Sequence, residues 1–256
     1  MNSVTILGYG WLGQALTKYL QSLNYSVKIT KRNLDNFNED VLAFQWSLGK
    51  DFPKEAISDI VIIAIAEQEN IIENYIKLYH QLELFDVKKI VFISSSSVYN
   101  DVNGEASETT EIINTNAAVT LKEKSLQNTN IPNVILRLSG LVGPNRNPAK
   151  FLTGKKNVAN PMQKVNLVHQ HDVIRFIEIC IKNNATGIYN VCSSTHPSRE
   201  EFYTKVCRHF NMEAPTFAQH TEPSRFVSNE KSKRDFNFEY EYDDLLEYYL
   251  SSEAKA

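Results

Sequence analysis

Apolar and polar positions along this chain switch repeatedly between a period of two and a period near 3.6. Val4 to Leu7 has the β-branched, apolar character of a buried strand. From Trp11 the spacing turns helical, with Leu12, Leu16, Tyr19, Leu20 and Leu23 offering one face. Tyr25 to Thr30 alternates as a second strand, and Val41 to Trp46 reads as a short third. Asp59 to Ala66 is almost unbroken apolar sequence, as a central parallel strand covered on both faces requires. A helix from about Asn70 to Leu84 and a buried strand from Lys89 to Ser94 follow. Asp101 to Asn116 is polar and irregular and reads as a surface loop. The pattern then gives a helix over Ala117 to Asn128 and a strand over Asn133 to Ser139, which Gly140 breaks.

Beyond this point the elements are shorter. Val165 to Val168 reads as a strand, and Asp172 as the N-cap of a helix marked by Val173, Phe176, Ile177 and Cys180. Gly187 to Val191 is a strand. Ser198 opens a helix running to about Phe210, with Glu201 completing a capping box. The acidic, aromatic tail from Tyr240 predicts a last surface helix. Strand and helix in alternation predict an α/β fold built on a doubly wound parallel sheet. The predicted organisation is a nucleotide core over residues 1–148 and a smaller C-terminal region over 149–256.

The first turn carries the chemistry that changes this picture. Gly8, Gly10 and Gly13 form a G-x-G-x-x-G frame between strand and helix, the context of a dinucleotide-binding turn in a Rossmann-like sheet. The first glycine permits the tight turn, the second lets the backbone approach a diphosphate, and the third allows close helix–strand packing. The helix N-terminus adds N–H groups and partial positive charge. The stretch Gly8 to Gly13, with Tyr9, Trp11 and Leu12, is therefore the predicted diphosphate contact. Ala64, Ile65 and Ala66 end the fourth strand on the edge where ligands of open α/β sheets bind.

The second strand bears on which nucleotide is taken. An acidic residue usually ends it and bonds the ribose 2′-hydroxyl of NAD. Here Thr30 leads into Lys31 and Arg32, two cations placed where a 2′-phosphate would lie. This favours NADP; NAD is the alternative, with Asp35 as the nearest acid. Ser47 and Leu48, just past the third strand, would stand near the adenine.

With 256 residues and a net charge of −3, the chain carries no basic footprint for nucleic acid. No apolar run approaches the roughly 18–20 residues a membrane helix needs. Three cysteines, Cys180, Cys192 and Cys207, form no C-x-x-C pair, so no metal site is expected and small buried thiols are. A cytoplasmic protein acting on a small molecule fits these bounds. The serine run Ser94 to Ser97, ahead of Val98 and Tyr99, either bonds a substrate oxygen at the strand edge or satisfies its own backbone. His169 is a cleft donor or a satisfied loop histidine. The cations Arg146, Lys150, Lys155 and Lys156 meet an anionic substrate or form a solvated face.

The segments ILGYGWLG, VFISSSSVY, RLSGLVGP, VHQHDVIRFI and GIYNV, in this order, resemble the extended short-chain dehydrogenase/reductase superfamily, which includes nucleotide-sugar epimerases. The resemblance runs from Val4 to about Phe210 and is closest to the atypical, NAD(P)-binding epimerase-like branch. It implies a Rossmann core holding NAD(P), a C-terminal lobe closing over a substrate such as a nucleotide sugar, and a homodimer through helices flanking the sheet. It puts the first serine of S-x-x-V-Y, Ser95, on the reacting oxygen, and Leu141 and Val142 near the nicotinamide. One part of the pattern is missing. The superfamily uses a Tyr-x-x-x-Lys pair on the helix after the acidic loop, yet no tyrosine occurs between Asn100 and Gly187. Lys122 has Ala118 four residues before it, and Lys124 has Thr120. An oxidoreductase or epimerase-like enzyme would need another proton donor, from Ser95, Ser96, Tyr99 or His169. The competing readings are a module that binds NADP(H) without chemistry and a fold kept for interaction alone.

Overall fold

The computed structural model describes residues 3–65, 71–100, 102–220, 222, 224–252 and 254. In chain order its elements are β1 (Ser3–Leu7), α1 (Trp11–Ser22), β2 (Ser26–Lys31), β3 (Leu42–Gln45), β4 (Ile60–Ile63), α2 (Ile71–Leu84), β5 (Lys89–Ser95), β6 (Gly104–Ala106) and α3 (Ala118–Gln127). They continue with β7 (Asn133–Leu138), β8 (Gly140–Val142), α4 (Ala149–Leu152), β9 (Leu167–His169), α5 (Gln170–Lys182), β10 (Gly187–Val191) and α6 (Arg199–His209). The last three are β11 (Arg225–Val227), α7 (Glu230–Phe236) and α8 (Leu245–Leu250). Two 3₁₀ turns, Lys54–Ala56 and Ser96–Tyr99, lie between them.

The main sheet is seven-stranded and parallel, in the order β10-β7-β5-β4-β1-β2-β3. The strand order reverses at β1, which pairs with β2 on one side and β4 on the other, Ile6 facing Ile29 and Ile62. A crevice at such a reversal is where open α/β sheets take ligands. The strands of this sheet are those the apolar pattern predicts, in their order along the chain, and the doubly wound type is the expected one.

The chain divides into two compact units, each discontinuous. One comprises Met1–Ser95, Asn114–Leu136 and Ile174–Ile188; the other comprises Ser96–Ile113, Arg137–Val173 and Tyr189–Ala256. Sequence reading drew one boundary, after residue 148. The first unit packs Leu7, Val61, Ile63 and Phe92 of the sheet against Tyr75, Leu78, Tyr79 and Leu82 of α2. Helix α1 buries Leu12, Leu16 and Leu20 through its 3.6-residue period; Leu23, expected on the same face, lies beyond its last turn and is exposed. The second unit centres on Phe202, Tyr203, Val206, Leu245 and Tyr249, which join α6 to α8.

Two corrections fall in the second unit. Residues 104–106, inside the expected surface loop, form β6 and pair in parallel with β11, Ala106 opposite Val227. Asp172 is not an N-cap. It lies inside α5, wholly buried, and its carboxylate accepts from the N–H groups of Glu241 and Tyr242 at 2.8 and 3.0 Å. A carboxylate before an apolar helix pattern suits either role, and here amides seventy residues away hold it. Ser198 does cap α6, accepting from Glu201 N–H at 3.1 Å. The three cysteines are buried, and burial pushes the Cys180 and Cys192 thiols up to about 12.

Candidate functional site

The glycine turn is built by contacts that exclude side chains at two positions and leave the third open. Gly8 has φ +104°, and a Cβ there would lie 2.5 Å from the carbonyl oxygen of Ala64. The two strands are this close because Ala64 N–H donates to Leu7 O at 2.9 Å. A Cβ on Gly13 would lie 2.1 Å from the carbonyl oxygen of Gly8, so α1 can rest on the turn only if residue 13 has none. Gly10 differs: it is exposed, has an ordinary φ of −90°, and a Cβ there would meet nothing within 4 Å. Nothing among the described residues requires a glycine at this position, whereas a ligand approaching the backbone would. Helix α1 begins here with no side-chain cap and no acid in its first turn. A helix start of this kind can receive an anion.

Beside the turn is a cavity of about 340 Å³. Among the described residues the first unit alone lines it: Gly8, Tyr9 and Gly10 from the turn, Thr30 and Lys31 at the end of β2, Arg32 and Asn33 just past it, Trp46, Ser47 and Leu48 after β3, Ala64 and Ile65 after β4. Seven expected cofactor positions, Gly8, Tyr9, Gly10, Lys31, Arg32, Ala64 and Ile65, therefore converge on one space. Ser47 and Leu48 join them. Leu12 and Gly13 are buried in α1 and do not line the cavity; Trp11 is half-buried at the helix start. Ala66 lies outside the described residues. Asp35, the alternative ribose partner, is exposed and tied to Asn33, whose Nδ2 donates to it at 2.9 Å. The pattern had not pointed to Asn33 or Trp46 as lining residues. Trp46 reads in sequence only as an apolar strand end; its indole Nε1 donates to Lys50 O at 3.2 Å, which turns residues 47–50 back on themselves.

Ser95 ends β5, half-buried, at the same strand edge of the sheet. Its neighbour Ser94 is buried and donates to Glu123 Oε1 at 2.5 Å. Glu123 is itself buried on α3, the helix on which the resemblance looks for a tyrosine.

The remaining candidates belong to the second unit. Ser96 is buried in the 3₁₀ turn. Tyr99 is wholly buried; its oxygen accepts from Arg137 Nη1 at 2.6 Å and donates to Asn190 Oδ1 at 3.0 Å. Burial pushes the phenol above its usual range, against the pull of Arg137. Asn190 is in turn fixed by Glu108, whose Oε1 accepts its N–H at 2.7 Å, a residue that had read as loop. This bonding holds strands together and engages the phenol's only proton, and the residue is too buried to present its oxygen to a substrate.

Val142 and His169 face one another in the parallel β8–β9 pair, and Leu141 is half-buried beside them. The His169 imidazole is 4% exposed, stacked on Tyr242 with centroids 3.8 Å apart. Its Nδ1 accepts from His171 N–H at 3.2 Å, so the proton of the neutral ring sits on Nε2. Burial lowers its pKa to about 4. Among the described residues Nε2 has no hydrogen-bond partner. No three His, Cys, Asp or Glu among the described residues group as metal ligands, and no described helix is long and apolar enough to cross a membrane.

Residues 4–192 match the model of the NAD dependent epimerase/dehydratase family. Protein YeeZ of Escherichia coli (strain K12) is 31% identical over 270 residues, spanning 96% of this chain and 98% of that protein. A conserved protein of unknown function from Silicibacter pomeroyi shares the fold at a TM-score of 0.81 with 20% identity over 100% of both chains. MoeE5, solved with UDP-glucose and NAD, does so at 0.79 with 15% identity over 96% of this chain and 95% of that one.

Proposed function

The chain belongs to the NAD dependent epimerase/dehydratase family, and from that premise we propose that it binds NADP, with NAD as the alternative, in the cavity beside the glycine turn. The observation that carries this is Gly10: a glycine the fold does not need, at an uncapped helix start, next to a cavity edged by Lys31 and Arg32. In this reading the α1 N-terminus receives the diphosphate, Ser47 and Leu48 border the adenine, and the two cations meet a 2′-phosphate. Leu141 and Val142 would border the nicotinamide, by resemblance.

A bound nicotinamide supplies a hydride acceptor or donor. The chain's own contribution is orientation. Ser95, at the end of β5, is proposed to orient the reacting oxygen; His169, its pKa lowered to about 4 and so neutral at pH 7, is left to offer a hydrogen bond from Nε2–H and not a proton. Tyr99 is left to packing, because Arg137 and Asn190 occupy its oxygen. The substrate class is a small anionic molecule, a nucleotide sugar among them, as bound by MoeE5 in its solved structure. Exposed Ile76 and Leu84 on α2 support a homodimer, which light scattering on the purified protein checks. A second reading, cofactor binding without turnover, is favoured by the absence of any tyrosine on α3 and the occupied phenol of Tyr99. Mass spectrometry of nucleotide released from purified protein, followed by calorimetry with NADP⁺ and NAD⁺, tests the binding. NADPH consumption across carbonyl and sugar-nucleotide panels separates the two readings. Absence of affinity for either dinucleotide refutes both.

A further inference from the structure

The segment between β2 and β3 bears on which nucleotide the cavity takes, an inference that rests on the dinucleotide reading above. Residues 33–40 contain no helix or strand, yet local bonds order them. Asp35 N–H donates to Asn33 Oδ1 at 2.6 Å, and Phe37 N–H to Leu34 O at 2.9 Å. Asn36, at φ +56°, turns the chain back. Gln21 Nε2, from α1, donates to Asp40 O at 2.9 Å and ties the far end down.

The returning chain builds a short relay of contacts. The Lys31 ammonium stands over the Phe37 ring, 5.1 Å from its centroid. Phe37 meets the Tyr9 ring edge-on, centroids 5.5 Å apart at 81°. The Tyr9 phenol donates to Glu39 Oε2 at 2.5 Å. Lys31 and Tyr9 line the cavity; Phe37 and Glu39 do not. A lysine side chain has four torsions to order, and a ring face under its ammonium reduces that freedom while attracting the charge. Glu39, engaged by the phenol, forms no ion pair with Lys31, so the ammonium's charge is not cancelled by the nearest acid of this relay.

We propose that Phe37, fixed in place by the Tyr9–Glu39 bond, is a specificity-determining residue: it holds the Lys31 ammonium at the cavity edge, so that an adenosine ligand carrying a 2′-phosphate is taken in preference to one carrying a 2′-hydroxyl. Phe37 acts through Lys31 and need not touch the ligand.

The test uses the full chain and its own fluorescence, since Trp46 lines the cavity and Trp11 opens α1 beside it. NADP⁺ and NAD⁺ are titrated into the wild type, Phe37→Leu, Tyr9→Phe and Glu39→Gln. Phe37→Leu keeps apolar bulk and removes the ring face. Tyr9→Phe releases the Glu39 carboxylate. Phe37→Leu is expected to weaken NADP⁺ by about three- to fivefold and to leave NAD⁺ within about twofold; Tyr9→Phe, at a residue that itself lines the cavity, is read only by its NADP⁺/NAD⁺ ratio, which should fall by the same factor. Glu39→Gln keeps an acceptor for the phenol and should retain the wild-type ratio. An unchanged NADP⁺/NAD⁺ ratio in Phe37→Leu, or an equal loss for both ligands, overturns the proposal while leaving the dinucleotide site intact. A wild type that prefers NAD⁺ removes the selection itself. A wild type that binds neither ligand refutes the underlying reading instead, and is seen before any variant is made.

Discussion

Substituting alanine for Gly10 should separate folding from binding. The new methyl would meet no atom within 4 Å, and the backbone, at φ −90° and ψ −164°, is one that alanine adopts freely. Two small terms act on stability. Replacing glycine lowers the entropy of the unfolded chain, worth about 0.4–1 kcal/mol in favour of the folded state. Alanine is a poorer N-cap than glycine by about the same amount, so the two nearly cancel. The melting temperature should therefore move by no more than about 2 °C. Binding is another matter. A methyl on the open face of the turn holds a diphosphate away from the backbone amides, and charge-assisted hydrogen bonds of that kind are worth about 1.5–3 kcal/mol each. Loss of one weakens the dinucleotide by roughly 10- to 100-fold. Gly13→Ala is the contrast. Its methyl would press to 2.1 Å from the Gly8 carbonyl oxygen, α1 would have to shift, and about 1–3 kcal/mol of stability should be lost. Differential scanning fluorimetry and tryptophan titration with NADP⁺ read both quantities on the same samples. If Gly10→Ala binds like the wild type, the diphosphate does not lie on this turn. If it melts as far down as Gly13→Ala, the open face is not open, and the inference from it fails.

Other expectations follow from the same contacts. Replacing Lys31 and Arg32 with alanine should weaken NADP⁺ by about 1–3 kcal/mol for each charge-assisted bond lost and hardly move NAD⁺, by calorimetry. Tyr99→Phe deprives the buried Arg137 guanidinium of an acceptor at 2.6 Å and should lower stability by about 1–3 kcal/mol in urea titrations; an unchanged midpoint would show that water replaces the phenol. His169 takes its proton near 6.5 in the unfolded chain and only near 4 in the folded one. Between those values the unfolded state binds more protons, so stability should fall as pH drops from about 6.5 to 4, at up to about 1.4 kcal/mol per pH unit from this group. His169→Gln should flatten that slope, measured by denaturant midpoints across the window; an unaltered slope would assign the acid sensitivity elsewhere.

The parts of the molecule readable in its sequence are those set by local periodicity. Val4 to Leu7, the glycine frame and Leu12, Leu16 and Leu20 fix strand, turn and helix within twenty residues, and the cavity forms around them. Lys31 and Arg32 were legible because β2 has a definite end. What escaped depends on partners far along the chain. Residues 104–106 have too few positions to show alternation, and they become a strand only because residues 225–227 lie beside them. Asp172 and Tyr99 have ordinary sequence contexts; their roles come from the amides of Glu241 and Tyr242 and from Arg137 and Asn190. Phe37 and Glu39 sit in a loop without periodicity, so their coupling to Tyr9 appears only in three dimensions.

The interleaving of the two units has a consequence for biosynthesis. The first unit has most of its residues by Ser95 but lacks its closing segment until Ile188 has been made, and the second cannot pair β6 until Val227. At ribosomal speeds of about 5–20 residues per second, the outer edge of β5 or β7 waits roughly 2–10 s for its neighbour. During that interval an open, apolar strand is available to any other nascent chain, and a stall between those codons would expose the polypeptide to aggregation far more than one after β11.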